Sequence, residues 1–147
     1  MSSPFELVHS DVWGSCRVSD TSGLRYFVTF VDGFSRMTWL FLIKDHTEIF
    51  HYFRRFYFEV LNQYNTFVKT LRSDNAKEYL AVAFGFQPCL DSHGIIHQTS
   101  YSYTPQQNSV AERKNRHLLD VARCLIFHMH LPKTFLGPCC PYSLLLN

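Results

Sequence analysis

The sequence has 147 residues, which is the length of a single domain. Its 14 basic and 12 acidic side chains give a net charge of +2, which excludes a strongly basic tail and an acidic disordered segment. Hydrophobic residues make up 46% of the chain and aromatic residues 16%, so we expect a sizeable core. No long apolar run and no basic segment followed by an apolar run occurs, so we expect neither a membrane span nor a secretory signal.

The five cysteines fit an intracellular protein with reduced thiols. Their number is odd and no pair is separated by two residues, so the sequence predicts neither a disulfide framework nor a zinc knuckle. His128 and His130 lie close together, but a histidine pair without a carboxylate or cysteine partner is weak evidence for a metal site.

Three short apolar segments predict the first three strands. Residues 5–12 are short and apolar, and residues 25–31 and 37–43 are rich in β-branched and aromatic side chains. Asp32 and Gly33 have the composition of a hairpin turn. Because the connections are short, we expect an antiparallel start to the sheet.

The next segments alternate between helix and strand. Residues 47–64 carry apolar side chains at spacings of three and four, which predicts an amphipathic helix with Thr47 as its N-cap. A strand is predicted at residues 67–72, and the helix before it makes a crossover onto the same sheet.

The second half of the chain continues this alternation. Residues 78–92 are helix-like but interrupted by Gly85 and Pro88. A short strand at residues 95–99 and a helix from about residue 107 to residue 129 follow. This order predicts an α/β fold with a five-stranded mixed sheet flanked by helices. It is the order of the ribonuclease H-like fold, although a fold by itself does not establish function.

Three acidic side chains occupy element ends. Asp11 lies near the end of the first strand, Asp74 follows the fourth strand, and Glu112 lies in the first turns of the last helix. Taken singly, each is explained as a solvated strand end, a turn residue or an acid near a helix start. If the first and fourth strands are adjacent, however, their ends bring Asp11 and Asp74 together, and a helix across the sheet can present Glu112 to the same point.

Three clustered carboxylates repel one another and raise each other's pKa values. A hard divalent cation such as Mg²⁺ relieves that repulsion, because it prefers oxygen ligands. Two such ions about 4 Å apart can activate a hydroxyl and stabilise the leaving oxygen of a phosphodiester. The pattern therefore favours metal-dependent chemistry on nucleic acid.

Basic side chains accompany the acidic ones. Arg113, Lys114 and Arg116 lie close to Glu112 on the last helix, and Lys77 lies close to Asp74. These cations suit phosphate contacts, but a solvated charged helix face is an equally good interpretation.

Eight motifs follow one another along the chain, at residues 9–14, 26–32, 34–36, 71–75, 78–79, 92–95, 103–108 and 110–116. Together they resemble the integrase catalytic core of copia-type LTR retrotransposon polyproteins, most closely the plant versions. The resemblance spans residues 5–135. It implies a ribonuclease H-like fold that carries out DNA 3′-end processing and strand transfer.

The resemblance also implies site residues and partners. The acidic triad of the family maps onto Asp11, Asp74 and Glu112, which would bind two Mg²⁺ or Mn²⁺ ions, and 37 residues separate the last two, close to the family's spacing. The implied partners are the DNA ends of the element and target DNA, with a possible homodimer and a nuclear location. Matching motif positions and nearby cations give the implied DNA-binding residues, Lys77, Asn108, Arg113, Lys114 and Arg116.

Three residues and the tail depart from the family pattern. Ala76, Lys77 and Ser109 replace usual glycines, and a left-handed backbone there would cost of order 1 kcal/mol. The usual helix is replaced in the tail, so we predict an integrase core at residues 1–135 and an irregular, divergent tail at residues 136–147. A frameshift is one hypothesis for that tail.

Three functions remain open from the sequence. The first is a metal-dependent integrase core. The second is a catalytically inactive, truncated transposon relic that at most binds nucleic acid or a protein partner, because the family's zinc-binding and downstream modules are expected to be missing. The third is a nuclease of the same fold acting on RNA–DNA hybrids, which the integrase-like motifs disfavour.

Overall fold

The computed structural model describes residues 2–14, 23–74, 85–99 and 109–130. Within these ranges the chain alternates strands and helices in the predicted order. The elements are β1 (Leu7–Trp13), β2 (Tyr26–Asp32), β3 (Thr38–Ile43), a 3-10 turn (His46–Glu48), α1 (Ile49–Tyr64), β4 (Thr70–Ser73), α2 (Phe86–Ser92), β5 (Ile96–Thr99) and α3 (Ser109–Met129).

The strands form one five-stranded sheet in the order β3-β2-β1-β4-β5. β1, β2 and β3 pair antiparallel, whereas β4 pairs parallel with both β1 and β5. The predicted five-stranded mixed sheet is therefore confirmed, and so is the condition that the first and fourth strands are neighbours. α1 supplies the crossover that parallel pairing of β1 and β4 requires.

Side chains that alternate along the strands separate the two faces of the sheet. One face packs against α1 and α2, and its core is aromatic: Phe30 stacks on Phe56 with ring centres 4.8 Å apart, and Phe53 packs against Phe86. The opposite face carries α3, which lies over β1 and β2. The apolar core is thus concentrated on one side, which leaves polar side chains between α3 and the sheet.

The start of α1 differs from the sequence prediction. Thr47 is not the N-cap of this helix; instead, the carboxylate of Asp45 accepts a hydrogen bond from the Thr47 backbone N–H at 2.7 Å. This cap opens a 3-10 turn, and α1 begins only at Ile49. Aspartate outranks threonine as an N-cap, which explains why the chain uses the earlier residue.

Gly85 and Pro88, which the sequence marks as interruptions of the segment at residues 78–92, lie at the start of α2, and residues 78–84 lie outside the described residues. Gly85 precedes α2 with a φ of +70°, a backbone conformation that glycine adopts without strain. Pro88 is the third residue of α2, where a backbone N–H has no partner within the helix, so proline costs no hydrogen bond there.

Several sequence predictions fall outside the described residues. They include the boundary at residue 135, the tail at residues 136–147, and the departures at Ala76 and Lys77. Among the helices that the structure describes, none combines the length and apolar character needed to cross a membrane.

Candidate functional site

The first two acidic residues lie near the carboxyl ends of neighbouring parallel strands. β1 and β4 pair with His9 opposite Arg72. If this register continues for two more residues, Asp74 lies opposite Asp11. Side chains alternate between the two faces of a strand, so both carboxylates lie on the face that carries α3. Adjacent strands lie about 4.8 Å apart, so the two carboxylates are neighbours.

A polar chain joins Asp11 to α3 and to β2. The Asn115 amide nitrogen donates to Asp11 Oδ2 at 2.8 Å, and the Thr29 hydroxyl donates to Asn115 Oδ1 at 2.7 Å. Thr29 lies directly opposite Asp11 in the register of β1 and β2. All three residues are buried, and the two bonds assign both atoms of the Asn115 amide. Sequence reasoning assigned no role to Thr29 or Asn115; the position of Asn115 one turn after Glu112 was the available clue.

Glu112 approaches the same place from α3. It lies one helical turn before Asn115, so both side chains point to one side of the helix. A groove of about 470 Å³ runs along this side, and we call it the acidic groove. Its lining residues are Asp11, Trp13, Glu112, Asn115, Arg116, Leu119, Asp120 and Arg123.

The electrostatic state of Asp11 reflects this crowding. Burial, together with the negative charges of Asp74 and Glu112, raises the pKa of its carboxyl to about 7, although the hydrogen bond from Asn115 opposes the shift. At neutral pH Asp11 is therefore only partly ionised.

A divalent cation would suit these residues, because hard carboxylate oxygens are the donors that Mg²⁺ and Mn²⁺ prefer. Asp11, Asp74 and Glu112 supply such oxygens, and a cation would favour the ionised form of Asp11. In the described ranges, however, no group of three histidine, cysteine, aspartate or glutamate side chains is already arranged to hold a metal ion. The charges of Asp74 and Glu112 thus act on Asp11, but the described residues do not form a preassembled metal site.

His9 is a further buried polar residue that sequence reasoning missed. It lies two residues before Asp11 on the same face of β1 and is 2% exposed. Neither ring nitrogen has a hydrogen-bond partner within the described part of the chain. Burial, together with the positive charges of Arg72 and Arg36, lowers the pKa of His9 to about 4. The ring is therefore neutral at physiological pH.

The predicted DNA-binding residues are distributed over both sides of α3. Arg116 lines the acidic groove, whereas Arg113 and Lys114 line a second groove on the other side of the helix. The Arg113 guanidinium donates to the backbone oxygen of Ser109 at 3.0 Å. Lys77 and Asn108 lie outside the described residues.

Comparison with known proteins matches residues 2–105 to the model of one family, the integrase core domain. A retrovirus-related Pol polyprotein from transposon TNT 1-94 of Nicotiana tabacum is 39% identical over 132 residues, 90% of this chain and 10% of that protein. The Pol polyprotein from transposon RE2 of Arabidopsis thaliana is 39% identical over 134 residues, 91% of this chain and 9% of that protein. The chain thus spans about a tenth of the length of these relatives.

Among solved structures, the chain resembles part of the cryo-EM structure of the simian T-cell lymphotropic virus intasome in complex with PP2A regulatory subunit B56 gamma. The TM-score is 0.70 at 19% identity, over 89% of this chain and 45% of that chain. At this identity the likeness establishes the fold alone. It confirms the predicted ribonuclease H-like architecture.

Proposed function

Because the chain belongs to the integrase core domain family, we propose that it is the catalytic core of a retrotransposon integrase, which cuts and joins DNA with the help of divalent metal. The predicted resemblance to plant retrotransposon polyproteins is confirmed by relatives that are 39% identical over nine-tenths of the chain. The observation that carries the proposal is the position of Asp11, a buried carboxylate near the end of β1, close enough to Asp74 and Glu112 for their charges to raise its pKa.

In the proposed reaction, a water molecule or a DNA 3′-hydroxyl attacks a phosphodiester in line, and the bond to the leaving oxygen breaks. Two Mg²⁺ or Mn²⁺ ions, held by Asp11, Asp74 and Glu112, would lower the pKa of the attacking hydroxyl and stabilise charge on the leaving oxygen. Asn115 orients the Asp11 carboxylate through its 2.8 Å hydrogen bond. Arg116, in the same groove, would balance the charge of the bound phosphate.

The proposed substrates are the DNA ends of the element and a target DNA, and the proposed compartment is the nucleus. Contacts to the DNA backbone fix its position without selecting a sequence. We therefore expect little sequence preference from this domain.

The experiment that tests the proposal is a disintegration assay, the reverse of strand transfer, on a branched DNA oligonucleotide with Mn²⁺. This substrate is already assembled, so the assay asks only whether the acidic site works. We expect product from the unchanged chain, and at least about a hundredfold less from Asp11→Asn, Asp74→Asn or Glu112→Gln, since even residues that merely support a metal ligand contribute 10–100-fold.

Asp91→Asn is the matched control, because Asp91 is an exposed acid on α2, on the opposite face of the sheet. It should retain full activity. A folded, Mn²⁺-exposed chain that yields no product would contradict the proposal and favour the inactive relic. Cleavage of an RNA–DNA hybrid without any disintegration product would favour the nuclease hypothesis instead.

A further inference from the structure

A second groove lies on the other side of α3, and we call it the basic groove. It has a volume of about 380 Å³, and its walls come from α3 and from the end of the β2–β3 hairpin. The helical positions share one face, because they are spaced by three and four residues. The lining residues are Val31, Arg36, Val110, Arg113, Lys114 and His117.

The side chains of this groove carry charge of one sign. Four of the six lining residues are basic and none is acidic. Among the residues that the structure describes, the ion pair observed joins Arg123 and Asp120 in the acidic groove, and none is observed for the cations of the basic groove. Arg36 from the hairpin and Arg113 and Lys114 from α3 place three positive charges around one groove. A bound anion would reduce their mutual repulsion.

Arg36 is held in place by its own loop. Its backbone N–H donates to the Asp32 backbone oxygen at 2.9 Å. The fully buried Asp32 carboxylate accepts hydrogen bonds from the backbone N–H groups of Phe5 and Ser35, each at 2.9 Å. Because the backbone is fixed before any ligand arrives, less entropy is lost when the Arg36 side chain binds one.

We propose that the basic groove binds a backbone phosphate of DNA, so that α3 contacts nucleic acid on both of its sides. Two arginines and a lysine match a phosphodiester, because guanidinium groups pair with phosphate through two parallel hydrogen bonds. This inference rests on the proposed function, since it takes the same DNA as ligand.

The spacing of the two grooves supports DNA as the occupant. They are separated by one helix, whose diameter with side chains is about 10 Å. Phosphates recur about every 3.4 Å of rise along each DNA strand, so DNA that reaches the acidic groove carries further phosphates within reach of the basic groove. Arg36 and His117 thereby join Arg113 and Lys114 as DNA contacts, and Arg116 belongs to the other groove.

The test measures binding of a fluorescent 30-base-pair duplex by anisotropy, in EDTA, at several salt concentrations. The first variant combines Arg36→Asn with Arg113→Gln; asparagine is chosen because Arg36 has a φ of +64°, which asparagine tolerates. We expect roughly tenfold weaker binding at low salt, and a slope of log affinity against log salt that is smaller by about 2.

Arg54→Gln with Arg55→Gln is the matched control, because these exposed arginines lie on α1, on the opposite face of the sheet. The control should keep the affinity and the salt slope of the unchanged chain. A second groove variant, Arg113→Gln with His117→Gln, alters only exposed helix positions and serves if the Arg36 change impairs folding.

The outcomes separate this inference from the proposed function. If the unchanged chain binds DNA and both groove variants match it in affinity and slope, the basic groove is not a phosphate site, and the proposed catalysis stands. If the unchanged chain binds no duplex, the inference fails, whereas disintegration of the branched substrate still decides the proposed function. Loss of affinity in the groove variants alone supports the inference.

Discussion

Asp11 and His9 lie two residues apart on β1. Burial raises the pKa of Asp11 and lowers the pKa of His9. The pKa of Asp11 is raised to about 7, so the folded protein binds more protons than the unfolded chain between about pH 4 and 7. Stability therefore falls as pH rises through that window. The pKa of His9 is lowered to about 4, so its contribution to stability is lost as pH falls from about 6.5 to 4.

These two effects oppose each other over the same pH range, and Asp11→Asn should separate them. In EDTA at pH 8 we expect the variant to be more stable than the unchanged chain, by at most about 4 kcal/mol, because it removes a buried charge and keeps an acceptor for Asn115. Near pH 4 the two proteins should be equally stable. Urea unfolding from pH 4 to pH 8 measures this.

The variant should also show the acid sensitivity of His9 without compensation, as a steady loss of stability below about pH 6.5. If Asp11→Asn were less stable than the unchanged chain at pH 8, burial of the charge would not be the dominant effect on Asp11.

At the scale of the element, α3 docks on the sheet through polar contacts. The described helix buries Ala111 and Asn115, and Leu119 packs partly against Phe27. Among the apolar residues of α3, Val121 and Leu125 are 41% and 53% exposed. The pattern of apolar residues does not predict how α3 docks, because its central contact is polar. The Asn115 amide lies between the Thr29 hydroxyl and the Asp11 carboxylate.

The energetic importance of that amide can be measured with a double-mutant cycle in EDTA. Asn115→Leu leaves the Asp11 carboxylate and the Thr29 hydroxyl without their bonds to the amide, which should cost about 1–3 kcal/mol of unfolding free energy. Thr29→Val removes the hydroxyl at nearly constant shape. Because both variants break one chain of bonds, their effects should be non-additive by about 0.5–3 kcal/mol. Additive effects would mean that the two bonds act independently.

At the scale of the whole molecule, the sequence predicts the order of elements well and their mutual contacts less well. Composition and spacing suffice for the five strands and for α1, and the predicted crossover onto the same sheet is confirmed, whereas the adjacency of β1 and β4 is a condition that only the structure establishes. The Asn115–Asp11 bond joins residues 104 positions apart, and the Thr29–Asn115 bond joins residues 86 apart. Such contacts depend on the register of strands and helix, which no local pattern encodes.

The acidic site is likewise built from residues far apart in the sequence, on β1, at the end of β4 and on α3. Binding of a metal ion there should therefore stabilise the whole fold. A ligand at 100 times its dissociation constant adds about 2.7 kcal/mol to the unfolding free energy. In a domain of this size, that corresponds to a rise in melting temperature of roughly 5–10 °C. We expect the rise with Mn²⁺ to be larger at pH 8 than at pH 5.5, because Asp11, with its pKa of about 7, must lose its proton to bind the metal.

Thermal melting with Mn²⁺ and with EDTA, at both pH values, measures this stabilisation. Asp74→Asn should reduce the shift at pH 8, whereas Asp91→Asn on α2 should preserve it, since both replace one carboxylate by an amide and only the first lies beside Asp11. An equal shift at both pH values, or one that survives Asp74→Asn, would place the bound metal elsewhere on the protein. A shift confined to high pH and to chains with the acidic residues intact ties the metal to the three carboxylates, independently of any assay of DNA chemistry.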